Sequence, residues 1–186
     1  MKILVTGSGG FIGAHTCASI AVVPECQVFG IDNLNDYYDP GLKRARIKAL
    51  TPGIPQHALD IANADALRAL FEDIQPDVVV HLAAQAGVRH SFQKPMDYAQ
   101  SNLTGQVSLL EAIRHCPSIR RLIYASSSSV YSGVSDLPFR EDMKLGTPKS
   151  LYAATKIADE VLCDTYSALH QVDMIGLRFF TVYGPW

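Results

Sequence analysis

Short apolar segments alternate with longer amphipathic segments along the whole chain. The short segments are aliphatic and mostly continuous, which is typical of strands buried on both faces of a sheet. They predict six strands, at residues 2–6, 27–31, 56–59, 77–81, 121–126 and 173–177. Between them, apolar side chains recur at helical spacing. This periodicity predicts five helices, at residues 11–22, 42–50, 64–74, 96–115 and 151–170.

The order of these elements predicts the fold class. Strands that alternate with helices are joined by right-handed crossovers, which give a parallel sheet with helices on both faces. We therefore expect an α/β protein with a Rossmann-type doubly wound parallel sheet. A length of 186 residues fits one domain, residues 1–186. Ligands of such sheets bind at the carboxyl ends of the strands.

Composition and charge exclude several classes of protein. Hydrophobic residues make up 48% of the chain and charged residues 18%, which argues against a disordered protein. The net charge of -2 gives no electrostatic case for a nucleic-acid partner. No apolar stretch approaches the roughly 18 residues of a membrane span, so no membrane association is expected.

The four cysteines indicate a reducing compartment. Cys17, Cys26, Cys116 and Cys163 contain no C-x-x-C pair. We expect a cytoplasmic protein with free thiols rather than a disulfide framework or a zinc site, and we predict no metal site.

A glycine-rich loop follows the first predicted strand and opens the first predicted helix. It is Thr6-Gly-Ser-Gly-Gly-Phe-Ile-Gly13, in which Gly7, Gly10 and Gly13 are spaced G-x-x-G-x-x-G. Such glycines allow a tight turn, close approach of a pyrophosphate and close packing of helix on strand. Asp32 lies 19 residues beyond Gly13, at the end of the second predicted strand. A carboxylate there accepts hydrogen bonds from the adenosine ribose and repels a 2′-phosphate, which favours NAD over NADP. The alternative is a glycine-rich turn with a surface aspartate.

Two other groups near this loop have more than one interpretation. Lys43, Arg44 and Arg46 follow Asp32 and could hold a cofactor phosphate, or they could form a solvated helix face. Asp60 could contact adenine, or it could cap the helix that starts near Asn63.

Tyr152 and Lys156 stand four residues apart in the last predicted helix, on one face of it. An ammonium beside a phenol favours the phenolate, which can act as a general base for a hydroxyl proton. Lys156 can also donate to a nicotinamide ribose. The alternative is an exposed helix face, because both residue types are common on helices.

Four serines, residues 126–129, follow the fifth predicted strand at the edge where ligands bind. A hydroxyl at this place can bridge a substrate oxygen and the tyrosine. The alternative is a serine-rich turn that satisfies backbone groups. The G-x-S-x-G elbow of a serine nucleophile is absent.

Taken together, these motifs resemble the extended short-chain dehydrogenase/reductase family. The serine run before Val130-Tyr131 and the segment Leu177-Arg-Phe-Phe-Thr-Val-Tyr-Gly-Pro-Trp186 add to the likeness. Within the family the chain is similar to the nucleotide-sugar epimerases and dehydratases. Two longer stretches, Asp32-Asn-Leu-Asn-Asp-Tyr-Tyr-Asp-Pro40 and Ala83-Ala-Gln-Ala-Gly-Val-Arg89, resemble those of the UDP-glucuronate 4-epimerases.

The resemblance implies roles for individual residues. Tyr152 is the base, Lys156 its partner and Ser127 the catalytic hydroxyl. The implied cofactor contacts are Gly7, Gly10, Phe11, Ile12, Gly13, Asp32, Asn33, Lys43, Asp60, Ile61, Leu82, Ala83, Ala84, Asn102, Tyr152, Lys156 and Phe179. The implied substrate contacts are Val88, Arg89, Ser127, Ser128, Tyr152 and Thr181. For Asn102, a helix-start residue is an equal alternative.

The resemblance also implies a reaction and an assembly. Family members convert a UDP-sugar at C4 through a 4-keto intermediate with NAD, here UDP-glucuronate to UDP-galacturonate. Dehydratases and decarboxylases of the group carry a carboxylate beside the strand-end hydroxyl, where this chain has Ser127-Ser128-Ser129. The alternatives are another epimerase or a reductase of the family, or a catalytically silent NAD-binding module.

Two features of the family bear on the ends and loops of this chain. Family members continue past the Gly-Pro-Trp motif into a substrate domain, so we expect this chain to be the cofactor-binding part alone. Ser132 stands where the family has glycine, which affects the shape of that loop. The helices at 96–115 and 151–170 resemble a pair that forms a four-helix interface, so we expect a homodimer.

Overall fold

A single six-stranded parallel sheet forms the centre of the molecule. The computed structural model describes residues 1–186. The strands are β1 (Lys2–Thr6), β2 (Gln27–Asp32), β3 (Gln56–Ala58), β4 (Val78–His81), β5 (Arg121–Ser127) and β6 (Asp173–Phe179). Their order is β3-β2-β1-β4-β5-β6, and every pair is parallel. The strand order reverses between β1 and β4, as in doubly wound folds. The predicted fold class is confirmed.

Seven α-helices cover the sheet. They are α1 (Phe11–Ala21), α2 (Pro40–Leu50), α3 (Ala64–Ile74), α4 (Val88–Gln93), α5 (Pro95–Tyr98), α6 (Gly105–Arg114) and α7 (Leu151–His170). A six-residue π-helical segment, Ala99–Thr104, joins α5 to α6, and a 3₁₀ turn, Ser128–Tyr131, follows β5. All six predicted strands are present, and the bounds of α3 and α7 match their predictions.

The helix predicted over residues 96–115 is present from Pro95 to Arg114, but its middle is the π-helical segment rather than regular α-helix. Helix α5, the π-helical segment and α6 follow one another there. The apolar spacing on either side of the π-helical segment is that of an ordinary helix, so it does not reveal the widened turn. Helix α4 was not predicted at all. It has six residues between Gly87, whose φ is 93°, and Pro95, and it is too short to display a periodicity.

The hydrophobic core lies on both faces of the sheet. Successive side chains of a strand point to opposite faces, and Ile3 and Leu4 of β1 accordingly belong to two different clusters. Leu4 is part of a cluster of 16 buried residues that includes Phe71 of α3 and Leu109 of α6. Ile3 is part of a smaller cluster with Cys17 of α1. Both faces are therefore covered, as a parallel sheet requires.

Three further findings concern disulfides, metal sites and membrane-spanning helices. All four cysteines are free thiols, and Cys17, Cys116 and Cys163 are buried. Histidine, cysteine, aspartate and glutamate side chains form no group of three or more that could hold a metal ion. No helix combines the length and the apolar character that crossing a bilayer demands.

Candidate active site

One cavity of about 590 Å³ opens at the carboxyl edge of the sheet. It extends from the glycine loop and the end of β2 to the end of β5 and the start of α7. Sixteen of the seventeen residues predicted to contact a cofactor line it, together with Ser127. They are Gly7, Gly10, Phe11, Ile12, Gly13, Asp32, Asn33, Lys43, Asp60, Ile61, Leu82, Ala83, Ala84, Tyr152, Lys156 and Phe179. The structure thus brings the three separate sequence motifs to one site.

The glycine loop leaves no room for side chains on its inner side. A Cβ on Gly7, whose φ is +72°, would lie 2.8 Å from the backbone nitrogen of Ala83. A Cβ on Gly13 would lie 2.0 Å from the carbonyl oxygen of Gly7. The glycines therefore serve the tight turn and the close packing of α1 on the sheet. Gly10 is the N-cap of α1 and has no side chain to cap it, so the positive end of the helix faces the cavity.

Asp32 ends β2 and is held in place by two backbone amides. The Gly9 amide donates to Oδ2 at 3.0 Å, and the Leu34 amide donates to Oδ1 at 2.7 Å. The side chain is buried from solvent but lines the cavity. This carboxylate is therefore rigidly placed to accept hydrogen bonds from a ligand, and the alternative of a surface aspartate does not hold.

The basic residues of α2 divide into two groups. Lys43 and Arg46 are buried and line the cavity, whereas Arg44 is exposed. The solvated helix face considered above is therefore wrong for Lys43 and Arg46. The Lys43 ammonium donates to Asn35 Oδ1 at 2.8 Å and lies 3.4 Å from Asp32 Oδ1.

Arg46 connects the glycine loop to the polar loop after β2. Its Nη1 donates to the Gly9 carbonyl at 2.8 Å and to the Tyr38 hydroxyl at 3.0 Å. Its Nη2 donates to the carbonyl oxygen of Trp186. Its Nε is buried without a partner. A buried guanidinium with a donor to spare is suited to an anionic ligand.

Asp60 lies at the same end of the cavity. Its Oδ2 accepts from Asn33 Nδ2 at 3.0 Å, and its Oδ1 accepts from the Ala62 amide at 2.9 Å. The N-cap of α3 is Asn63, whose side chain accepts from the Ala66 amide. Capping of α3 therefore does not account for Asp60.

Tyr152 and Lys156 occupy the first turns of α7 at the other end of the cavity. Ser150 caps this helix by accepting from the Ala153 amide at 3.1 Å. The Tyr152 ring packs edge-on against Tyr98, with ring centroids 6.1 Å apart. The Tyr98 hydroxyl donates to the carbonyl oxygens of Ala86 and Gly87, at 2.5 and 2.6 Å. Burial raises the pKa of Tyr98 to about 12, so this hydroxyl stays protonated and buttresses the Tyr152 ring.

Lys156 is fixed by two partners beneath the cavity. Its ammonium donates to the Ala125 carbonyl and to Asp159 Oδ2, each at 3.0 Å. One of its three protons is left for a ligand. The alternative of an exposed helix face is excluded for Lys156, because this side chain is buried.

The four serines after β5 have different surroundings. The Ser126 hydroxyl donates to Glu160 Oε1 at 2.5 Å, and Arg178 binds the same carboxylate through Nε at 3.0 Å and Nη2 at 2.9 Å. Ser127 lines the cavity, and its hydroxyl accepts from the Ser129 amide at 3.2 Å. The Ser127 proton is therefore available to a ligand, while Ser126 is committed to the Glu160–Arg178 pair.

A buried histidine supports the loop on the sheet side. His81, the last residue of β4, lies with Nδ1 2.7 Å from the Thr6 hydroxyl. Burial, with a smaller effect from the Lys156 charge, lowers the pKa of His81 to about 3. The imidazole is therefore neutral under ordinary conditions, and it links β1 to β4 at the strand end that leads into Gly7.

Five predicted site residues lie outside the lining of the cavity. Asn102 is buried, accepts from the Gln85 amide at 2.8 Å and donates to the Gln85 carbonyl at 3.1 Å and to Thr155 Oγ1 at 3.0 Å. It ties the loop after β4 to α7 and is no helix-start residue, since it lies inside the π-helical segment. The others are Val88 and Arg89 at the start of α4, Ser128 in the 3₁₀ turn and the exposed Thr181.

Several residues of the cavity were not predicted. They are chiefly Tyr37, Tyr38, Gln85 and Ser101. The stretch that contains Tyr37 and Tyr38 carries part of the family resemblance, yet its motif implies no role for either side chain. The usable signal was position: a long loop that follows a strand at the ligand-binding edge is expected to contribute residues to the site.

Known proteins resemble this chain over its whole length. It is 46% identical to protein CapI of Staphylococcus aureus and 46% identical to UDP-glucuronate 4-epimerase 4 of Arabidopsis thaliana, and covers 55% and 43% of them. A crystal structure of UDP-glucuronic acid 4-epimerase from Bacillus cereus, in complex with UDP-glucuronic acid and NAD, matches with a TM-score of 0.90 at 39% identity. That match covers 100% of this chain and 58% of the other.

The chain thus spans about half the length of the curated relatives it matches. The model of the NAD dependent epimerase/dehydratase family matches residues 3–186. The chain belongs to that family.

Proposed function

We propose that this chain is the dinucleotide-binding part of an NAD-dependent UDP-glucuronate 4-epimerase, which interconverts UDP-glucuronate and UDP-galacturonate. The observation that carries the proposal is the single cavity that joins Asp32 and the glycine loop to Ser127, Tyr152 and Lys156. Relatives named UDP-glucuronate 4-epimerase support the choice of sugar.

The cavity fits a dinucleotide by its shape and its charges. Gly7 and Gly13 allow the tight turn and close packing that bring the N-terminus of α1 to the cavity, and this N-terminus has no side-chain cap, so it is suited to bind a pyrophosphate. Asp32 would accept hydrogen bonds from the adenosine ribose, and its charge opposes a 2′-phosphate, so we expect NAD rather than NADP. Bound NAD⁺ would supply the two-electron oxidant that the sugar C4 requires, and it would be regenerated in each turnover.

The chain's own residues would move the proton. The Tyr152 phenolate would take the proton of the C4 hydroxyl at its Oη, and it would return that proton when the hydroxyl is restored. The Ser127 hydroxyl would bridge Tyr152 and the C4 oxygen. The Lys156 ammonium would donate its remaining proton to the nicotinamide ribose. We further propose that Val88, Arg89, Ser128 and Thr181 contact the sugar.

Epimerisation is favoured over dehydration or decarboxylation. Those reactions need a free acid or base beside the strand-end hydroxyl. The carboxylate nearest the serine run is Glu160, and it is bound by Ser126 and doubly by Arg178. A carboxylate held in this way is not available to exchange protons with a sugar.

The test has two stages on the purified protein. It is denatured and its supernatant is assayed for NAD⁺, NADH and NADP⁺ by enzymatic cycling, and then UDP-glucuronate is added to the native protein and the 4-epimer is sought by NMR. Near-stoichiometric NAD and formation of UDP-galacturonate are expected. Bound NAD without any epimer would indicate a silent dinucleotide-binding module, and a folded protein without any nucleotide would reject the cofactor site.

We also propose a homodimer in the cytoplasm. Helices α6 and α7 leave Val107, Val161 and Leu169 exposed, and these apolar side chains suit a helical interface. Four free thiols suit a reducing compartment. Sedimentation velocity should give the mass of a dimer, and Val161→Glu should shift it to a monomer with unchanged circular dichroism; a monomeric parent chain would reject the assembly.

A further inference from the structure

Lys156 has a buried counter-charge that the sequence motifs do not indicate. The Asp159 carboxylate lies one helical turn along α7, with Oδ2 3.0 Å from the Lys156 ammonium. Lys156 is 3% exposed and Asp159 1% exposed. The other carboxylate oxygen of Asp159 is buried without any partner. The carboxylate therefore has one partner atom, and that atom belongs to the proposed catalytic lysine.

No other acidic group contacts Lys156. Glu160 is the next residue, but Arg178 binds both of its oxygens. His81 faces Lys156 from β4 and is neutral, because burial lowers its pKa to about 3. Cys163 faces Asp159 from the next turn of α7, and burial raises the pKa of its thiol to about 12, so it too is neutral. Burial raises the pKa of Asp159, and the Lys156 charge opposes this rise.

The Lys156–Asp159 pair sets the net charge at the end of the cavity where Tyr152 lies. An unpaired Lys156 would place a full positive charge beside the ligand. With Asp159 ionised, Lys156 and Asp159 together are neutral, yet the ammonium keeps one proton to donate. The nicotinamide ring of NAD⁺ is cationic, whereas that of NADH is neutral. A net positive charge at this end would therefore disfavour the oxidised form of the dinucleotide relative to the reduced form.

We propose that Asp159 is a positioning residue that acts through Lys156: it holds the ammonium against the Ala125 carbonyl and offsets its charge, so that the site retains affinity for oxidised NAD. This inference rests on the proposed function and deepens it. An epimerase ends each turnover with its cofactor oxidised, so a site that strongly preferred the reduced form would leave the enzyme in an unproductive state.

The test compares the dissociation constants of NAD⁺ and NADH, measured by titration calorimetry with the purified protein. Asp159→Asn keeps the shape and removes the charge. It is expected to raise the ratio of the NAD⁺ constant to the NADH constant about tenfold, the order of effect of one charge in a partly buried site. Asp159→Glu keeps the charge and should stay near the parent ratio. Asp164→Asn removes an exposed charge from the same helix and serves as the matched control.

A reciprocal variant separates charge balance from structural damage. At a pH above the raised pKa of Asp159, Lys156→Gln leaves this carboxylate unbalanced and should move the ratio in the opposite direction, towards NAD⁺. The double variant, Lys156→Gln with Asp159→Asn, removes both charges and should return close to the parent ratio. Damage to packing alone would weaken the binding of both nucleotides together. It would not change the ratio in opposite directions in the two single variants.

The outcomes distinguish this inference from the proposed function. A folded Asp159→Asn protein with the parent ratio overturns the inference while leaving NAD binding intact. If this variant does not fold, Asp159→Ser is measured in the same way, and a Lys156→Gln protein with the parent ratio likewise overturns the inference. A parent protein that binds neither nucleotide overturns the proposed function, and the inference falls with it.

Discussion

The Gly9 amide donates a hydrogen bond to Asp32 Oδ2 at 3.0 Å, which joins the glycine loop to the end of β2. The bond links the loop that would bind the pyrophosphate to the carboxylate that would bind the adenosine ribose. Lys43 lies 3.4 Å from the same carboxylate, and Arg46 donates to the carbonyl oxygen of Gly9, so two basic side chains surround this contact. We therefore expect the choice between NAD and NADP to depend chiefly on the charge of Asp32.

Replacing Asp32 by Asn should change the cofactor preference. The loss of charge-assisted hydrogen bonds, worth about 1.5–3 kcal/mol, should weaken NAD⁺ binding roughly 10- to 100-fold. The remaining basic residues should let NADP⁺ bind better than it does to the parent. Calorimetric titration with both nucleotides measures the change. Asp73→Asn, which removes an exposed charge on α3, is the control, and an unchanged preference for NAD⁺ in Asp32→Asn would contradict the assignment.

Two glycines with positive φ allow the strain of the backbone to be separated from the clash of a side chain. A Cβ on Gly53, whose φ is +83°, meets nothing within 4 Å, whereas a Cβ on Gly7 meets the Ala83 backbone. Gly53→Ala should lower the free energy of unfolding by about 1 kcal/mol, the cost of the backbone conformation alone. Gly7→Ala should cost more and should also abolish NAD binding. Urea unfolding measures the stability of both variants. Equal losses of unfolding free energy in the two variants would show that the glycine loop has room to relax.

Neighbouring serines should differ in what their removal affects. Ser127→Ala should lower the rate of epimerisation with little change in stability, because its hydroxyl proton is free for the substrate. Ser126→Ala should lower the free energy of unfolding by about 1–3 kcal/mol, because Glu160 loses a buried donor. Parallel measurements of turnover and urea unfolding decide the matter. The assignment fails if Ser126→Ala impairs turnover and Ser127→Ala does not.

The buried His81 should make stability depend on pH. Its pKa in the folded state, about 3, is below the unfolded value of about 6.5, so its contribution is complete above pH 6.5 and is lost as the pH falls from there. Between pH 7 and pH 5 this loss amounts to about 2 kcal/mol. The His81→Asn protein should have a lower free energy of unfolding than the parent at pH 7. On acidification to pH 5, its free energy of unfolding should fall by less than that of the parent. Identical pH slopes in the two proteins would show that His81 is not buried in its neutral form.

Much of the fold could be predicted because buried parallel strands and amphipathic helices follow simple apolar patterns. The bounds of α3 and α7 were predictable because each has a clear apolar stripe, and each is capped by a side chain, Asn63 and Ser150. The π-helical segment and α4 were not predictable from the sequence. A widened turn and a six-residue helix leave no distinct periodicity, and their geometry is set by tertiary contacts such as those of Asn102 with Gln85.

The site could be predicted where a motif has a direct physical purpose, and it was missed where the purpose is supplied by other segments. Gly7, Asp32 and Tyr152 could be predicted because a tight turn needs a glycine, a ribose contact suits a carboxylate, and a general base needs an ionisable side chain. The burial of Arg46 and of Asp159 could not be predicted, because nothing in the sequence shows that these two charged side chains on ordinary helices are buried. Burial of a charge depends on which elements pack over it, and that becomes visible only in the folded chain.

The role of Tyr152 as the base is best tested by the rate of UDP-glucuronate epimerisation by Tyr152→Phe, with NAD occupancy determined on the same sample. Tyr183→Phe, at a side chain that is 90% exposed, is the control. We expect Tyr152→Phe to bind NAD as the parent does, and its turnover to fall by about 10²- to 10⁴-fold, the usual contribution of a general base. Parent-like turnover in Tyr152→Phe, with NAD bound, would contradict the assignment of Tyr152 and with it the proposed chemistry.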